Sequence, residues 1–465
     1  MKYITTLAVL LATTSLASAA GNESTNESFI LQAGKKNTAI VGQTNGKNEQ
    51  GTAQFGNNNR SVTAQNNLGK GENKSGTLEI GNGNASVAAQ LGGKNTQNTL
   101  QIGKDNLAVT GQVNFSDDKN KSSTAQFGNG STSIAGQAGG SNNQTTVQFG
   151  AGKDSGNLAV TGQFTGANAD KNDSKIVQGG AGNTAFVGQD TSGDKKGGAG
   201  GSNNQVSLQF GRDNTALTDQ SSVGSSKKGT VSGVQNESGT LQFGKGNFAS
   251  TKQTGTNPGD SANQTLNASV TEQFGKDNTA NTRQVNGNNL QGTLQVGKGN
   301  TAQTKQFNAE DSNNLNASGT AQFGKDNTAN TKQANGDNLQ GTLQVGSGND
   351  AQTKQRNVNN GDGTNGSLTL QAGKDNKAFT SQKIADPLNS GTNGSLIAQV
   401  GKNNIAMARQ NDTGMQPMVG ANSQATVQVG NGNSAMTTQT ASANVANTSV
   451  TAQFGSHNTA ITAQK

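Results

Sequence analysis

Residues 240–253 read Thr-Leu-Gln-Phe-Gly-Lys-Gly-Asn-Phe-Ala-Ser-Thr-Lys-Gln. Side-chain character alternates from Thr240 to Phe243 and again over the seven residues from Asn247 to Gln253, the period of two that marks a strand. Between the runs lies Gly-Lys-Gly, and glycine supplies the positive φ that a tight reversal requires. The stretch predicts a strand, a turn and a second strand.

The same pattern, Gln-x-Gly-x-x-Asn-x-Ala-x-x-x-Gln, recurs along the chain. It appears first at Gln32, Gly34, Asn37, Ala39 and Gln43, stands in the quoted stretch at Gln242, Gly244, Asn247, Ala249 and Gln253, and appears last at Gln453, Gly455, Asn458, Ala460 and Gln464. There are seventeen copies, their starts 22 to 33 residues apart, the period of a solenoid rung. Departures are few: Glu79 replaces one first Gln, Ser131 one Asn, and Ser61, Ser86 and Ser133 the Ala. The sixth copy carries four extra residues between Gly150 and Asn157. The predicted fold is all-β, a solenoid of about seventeen stacked strand-turn-strand rungs with two facing parallel sheets. Between copies, stretches rich in Gly, Ser, Asn and Asp, such as 191–204 and 254–263, predict loops of variable length.

Composition alone would suggest disorder, because only 28% of the 465 residues are hydrophobic and 3% aromatic, too little for an oily core to offset the lost chain entropy. The fixed offsets of the repeat argue otherwise. With no cysteine in the chain, neither disulfides nor thiolate metal sites can hold it. If rungs stack about 4.8 Å apart, equivalent amides lie above one another and bond up and down the stack. This places Gln32, Asn37, Ala39 and Gln43, with Gln242, Asn247, Ala249, Gln253, Gln453, Asn458, Ala460 and Gln464, on the inner face as a stacking ladder. Small residues such as Thr218 and Thr251 join them inside. The opposite parity, including Phe55, Phe127, Phe149, Phe210, Phe243, Phe274, Phe323 and Phe454, is expected outside.

One outward column changes character along the chain. Eight residues after the first Gln the early copies carry apolar residues such as Ile40 and Val62, and the closing copies Phe379, Met407, Met436 and Ile461. Copies nine to thirteen instead carry Ser250, Asn281, Gln303, Asn330 and Gln352, and two residues further on stand Lys252, Arg283, Lys305, Lys332 and Lys354. Such a basic column is expected to act as a gatekeeper against sideways aggregation and to hold a polyanionic matrix polymer, polysaccharide or DNA.

At the start, Lys2, the apolar run from Ile4 to Leu16 and Ala17-Ser18-Ala19 read as a secretory signal peptide, residues 1–19. A short segment, 20–28, precedes the repeat domain, 29–465. No catalytic, cofactor or metal site is read from the sequence. The one histidine, His457, stands in a turn. Asp105, Asp213, Asp277, Asp326 and Asp375 share one turn position, and a Lys or Arg precedes each, which argues for local charge compensation rather than calcium. An enzyme acting on a small-molecule substrate is not expected.

The motif resembles the curlin repeat of bacterial curli subunits over essentially the whole span from Phe29 to Lys465. That resemblance implies a secreted functional amyloid, a cell-surface fibre of the biofilm matrix that mediates adhesion. Its implied partners are other copies of itself, a nucleator subunit and an outer-membrane secretion pore. The alternative from another class is a monomeric β-solenoid adhesin or ice-binding rod, for which an outward array of Thr, including Thr38, Thr184, Thr215, Thr279, Thr301, Thr328 and Thr459, would be the working surface.

Overall fold

A computed structural model describes residues 25–68, 71–150, 156–166, 171–192, 201–223, 233–256, 265–309, 314–358, 363–385, 391–413, 420–442 and 445–465. The signal peptide and most of segment 20–28 lie outside these. The described chain is all-β and divides into two compact units, Met1–Gly156 and Asn157–Lys465.

Each unit is a β-solenoid in which strands pair only in parallel, each with its equivalent in the next copy. In the first unit, strand Asn26–Lys35 pairs with Lys47–Asn57, which pairs with Glu72–Asn82, Gln32 on Gln54 on Glu79 and Gly on Gly. The closing strands stack the same way, Thr38–Thr44 on Arg60–Asn66. Two long strands, Ala85–Lys104 and Leu107–Asn129, run from one copy's closing strand into the next copy's opening strand. The second unit repeats this arrangement from Leu158–Thr165 to Thr459–Gln464. Five copies lie wholly in the first unit and eleven in the second. The sixth is divided at its insertion: Gln148 belongs to one unit and Asn157 to the other.

The register fixes which side chains share a column, and sterics fix the glycine. Gly244 has φ +121°, and a Cβ there would lie 1.9 Å from the carbonyl oxygen of Gly275 in the next rung. The requirement comes from stacking as much as from the turn. Two residues later the backbone enters the left-handed region, with φ 55° at Asp213, 56° at Asp277 and 58° at His457. Only Gly and a few residues such as Asp and Asn tolerate that conformation readily. In the second unit Asp alternates there with Gly: Gly182, Asp213, Gly246, Asp277, Gly299, Asp326, Gly348, Asp375. The Asp277 carboxylate lies over Gly246, 2.6 Å from where a Cβ would stand. The alternation keeps like charges two rungs apart and leaves each carboxylate room.

Where copies follow at the shortest period, Asn-Gly closes three of the five connections and Gly-Gly, at Gly92-Gly93 and Gly139-Gly140, the other two. Asn286 and Gly287 have φ 50° and 62°, and Asn335 and Gly336 51° and 65°, the two left-handed residues of a tight turn. The expected loops are shorter than the sequence suggested. Strands continue through Ser192 and Thr256 and resume at Ser202 and Thr265; the stretches 193–200 and 257–264 lie outside the described residues. Strand Asn26–Lys35 likewise begins before the expected boundary at 29, because the structural repeat opens six residues ahead of its Gln.

The interior is narrow and mainly polar. Its hydrophobic members are largely the Ala of each rung, with local apolar replacements that pack against one another. Where Ile176 and Ile397 replace the usual Thr of the opening strand, Val187 and Ala408 stand in the usual Thr column of the closing strand. Where Ser61, Ser86 and Ser133 replace the Ala, each faces a threonine hydroxyl, 3.4 Å from Thr52, 3.5 Å from Thr77 and 3.3 Å from Thr124.

Candidate functional site: amide ladders and a basic column

The opening Gln side chains form a polarised ladder. Nε2 of Gln242 donates to Oε1 of Gln273 at 2.8 Å, Gln273 donates to Gln295, and the direction never reverses up to Gln453. The second proton goes to backbone: Gln242 donates to the carbonyl of Thr215 in the preceding rung at 3.0 Å. Closing Gln residues repeat the scheme, Gln253 to Gln284 and Gln439 to Gln464. Gln242, Asn247 and Gln253 are fully buried, and Ala249 nearly so. A buried amide costs free energy unless each N–H and C=O is satisfied, and here the stack itself satisfies them.

The turn Asn runs its ladder the opposite way. Nδ2 of Asn247 donates to Oδ1 of Asn214 in the preceding rung, to its own Phe243 carbonyl and to the Gly275 carbonyl above, each at 3.1 Å. It thereby ties the turns of three rungs together. At the two outermost rungs the same residues are open: Gln32 is exposed, Asn37, Ala39 and Gln43 are half-buried, and so are Asn458, Ala460 and Gln464, with Gln453 buried.

A further ladder was missed in the sequence reading. Six residues before each opening Gln stands an Asn in all seventeen copies, from Asn26 to Asn447. These amides also donate to the preceding rung: Asn236 to Asn203 at 2.9 Å, Asn267 to Asn236 at 2.9 Å. The signal was present as an invariant offset, but it sits upstream of the Gln taken as the start, among residues read as loop. Two residues further along, Ser and Gln share a column in which no Gln follows another. Ser269 donates to Gln291, and Gln291 turns back to Thr293 in its own strand.

Among the described residues of the first unit the opening-Gln ladder breaks at Glu79. Gln54 donates to Oε2 of Glu79 at 2.7 Å, but Glu79 Oε1 and Gln101 Oε1 are both buried without a partner. A carboxylate has no proton to pass on, and burial pushes the Glu79 carboxyl up to about 8, opposed by the bond from Gln54.

On the outer face the phenylalanines stack. Phe210 and Phe243 have ring centroids 5.0 Å apart, and Phe243 and Phe274 5.5 Å. The outward Thr array is interrupted: Thr215 is followed in register by Phe248, and Thr328 by Asp350. Lys252, Arg283, Lys305, Lys332 and Lys354 are consecutive in register and all exposed. Asp219 pairs with Lys252 at 2.7 Å; among the described residues the other four have no ion pair. The Lys or Arg that precedes each turn Asp belongs to a second basic column, which runs along the turns through Arg212, Lys245, Lys276, Lys298 and Lys325. Turn aspartates compensate it, Lys276 lying 3.8 Å from Asp277 and Lys325 3.6 Å from Asp326. No family model matches the chain, and no curated protein matches it.

Proposed function

We propose that this chain is the structural, non-catalytic subunit of a curli-type extracellular amyloid fibre, exported through the periplasm and an outer-membrane pore, nucleated at the cell surface and built into an adhesive biofilm matrix. The observation that carries this reading is the polarity of the ladders at their open rungs. Gln453 and Gln464 bond only to carbonyls and amides of their own rung and the rung below, so each has amide donor capacity facing outward, while Gln32 and Gln43 present Oε1 acceptors at the opposite edge. The Asn ladders are complementary in the reverse sense, with Oδ1 of Asn447 and Asn458 at one edge and Nδ2 of Asn26 at the other. A second copy added head to tail therefore continues every ladder, whereas like edges oppose donor to donor. Such a heterologous contact does not close, and it generates a filament. Unprotected strand edges are ordinarily avoided, yet Val450, Phe454 and Ile461 at this edge are 75%, 70% and 74% exposed.

The test is a time course of purified chain followed by electron microscopy, sedimentation and thioflavin fluorescence. Concentration-dependent, seedable fibres are expected. Particles that stay short and unsedimented at high concentration would instead support a monomeric rod.

A further inference from the structure

Three members of the basic column, Lys305, Lys332 and Lys354, lie in a groove. On the outer face of the closing-strand sheet in the second unit, Lys305, Lys332, Lys354 and Arg409 line a depression of about 590 Å³, which continues between Phe379, Met407 and Met436. Three features of its floor differ from the turn column. Its cations have no acidic partner among the described residues, whereas turn aspartates accompany the other column on alternate rungs. Beside the cations runs a parallel column of amides, Asn281, Gln303, Asn330 and Gln352, consecutive in register. Beyond Gln352 that column becomes Phe379, Met407 and Met436. Parallel in-register stacking sets like charges about 4.8 Å apart, an arrangement that costs stability unless a counter-charge lies along it.

We infer that this groove binds a linear acidic polysaccharide carrying a carboxylate on most of its sugar rings, laid along the stacking direction with its carboxylates on Lys305, Lys332, Lys354 and Arg409. Each part of the groove answers one part of that polymer. Cations on three successive rungs, with Arg409 following after one rung that carries Ser381, match charges repeating about once per ring, and the amide column offers both donors and acceptors to ring hydroxyls. The C–H face of a pyranose packs on Phe379 and Met407, apolar surface that is otherwise left in water. Nucleic acid fits less well. Duplex phosphates follow a helical path rather than a straight one, and single strands are held by aromatic platforms that successive bases stack upon. The groove presents one aromatic ring, Phe379. The inference is independent of polymerisation, since the groove lies on the face of the stack and not at its edges.

The experiment uses the full mature chain and fluorescently labelled oligogalacturonate, with the fully methyl-esterified oligomer and a single-stranded DNA of equal charge as comparisons. The acidic oligomer is expected to bind with an affinity that falls steeply with salt. The ester should bind at least about tenfold more weakly and the DNA more weakly than the acid, on the same electrostatic grounds. Changing Lys305, Lys332 and Lys354 to Gln should weaken binding by about tenfold or more, while changing all three to Arg should retain it. Changing Lys245, Lys276 and Lys298 to Gln on the turn column should leave it within about twofold. Tighter binding of DNA, equal binding of the ester, or equal losses from the two sets of Gln substitutions would overturn the proposal. The Arg variant guards against misfolding as the cause of a loss.

Discussion

Among the described residues, Glu79 is where the opening-Gln ladder fails. Everywhere else in its column, within each unit, an N–H is passed to the next rung; here two buried oxygens, Glu79 Oε1 and Gln101 Oε1, are left without a donor. A proton on the carboxyl supplies the missing donor, and this agrees with a carboxyl held near 8 against an ordinary 4.5. The folded chain keeps the proton between those values while the unfolded chain has lost it. The contribution of Glu79 to stability is therefore greatest below about pH 4.5, falls as pH rises through the window, and levels off above about pH 8. The span corresponds to at most roughly 5 kcal/mol. Glu79→Gln should match the native chain in denaturant midpoint at pH 4 and exceed it clearly at pH 9. A difference independent of pH would show that Glu79 is not the titrating group.

At the scale of the rung, strand identity was legible because the repeat gives the same offset seventeen times, so local ambiguity in any one copy is overruled by the others. The inward parity of Gln242 and Asn247 could be argued from chemistry, since an amide on the surface has little reason to recur. Strand starts were harder to read. The upstream Asn column sits among Gly, Ser and Asn, residues that speak locally for loops, and only pairing with the neighbouring rung turns 202–204 or 234–239 into strand. The reason for the invariant Gly was also only half visible. The turn requires a positive φ, but the contact that forbids a side chain belongs to another rung, as at Gly244. At an edge rung the ladders have one neighbour, and substitution there reports on docking more than on the stability of the stack. Gln453→Leu with Gln464→Leu should remove two donors from the growing edge and slow fibre elongation severalfold, with the folded content of the monomer nearly unchanged by circular dichroism. Lys298→Ala, outside the ladders, should leave the elongation rate within about twofold. Equal slowing by both would mean that the Gln ladder does not direct growth.

For the molecule as a whole the outer faces are not equivalent along the chain. Early copies present Ile40 and Ile134 and closing copies Met407, Met436 and Ile461, all exposed, and such apolar columns favour contacts between neighbouring stacks. Copies nine to thirteen interrupt them with Lys252, Arg283, Lys305, Lys332 and Lys354. Bringing two such columns together would desolvate and oppose like charges, so lateral approach is disfavoured there, while growth along the stacking direction, which uses the backbone and the buried amides, is untouched. Replacing all five with Val supplies β-branched side chains that fit the pleat and extends an apolar stripe through the middle copies. Micrographs should then show thicker bundles, and fibre diffraction should retain the spacing near 4.8 Å, because the register between rungs rests on ladders the change does not reach. Raising salt on the native chain should move bundle width in the same direction by screening the column. Unchanged width in both experiments would mean that lateral contacts are set elsewhere on the surface; loss of the 4.8 Å spacing would mean that the outward column supports the stack itself.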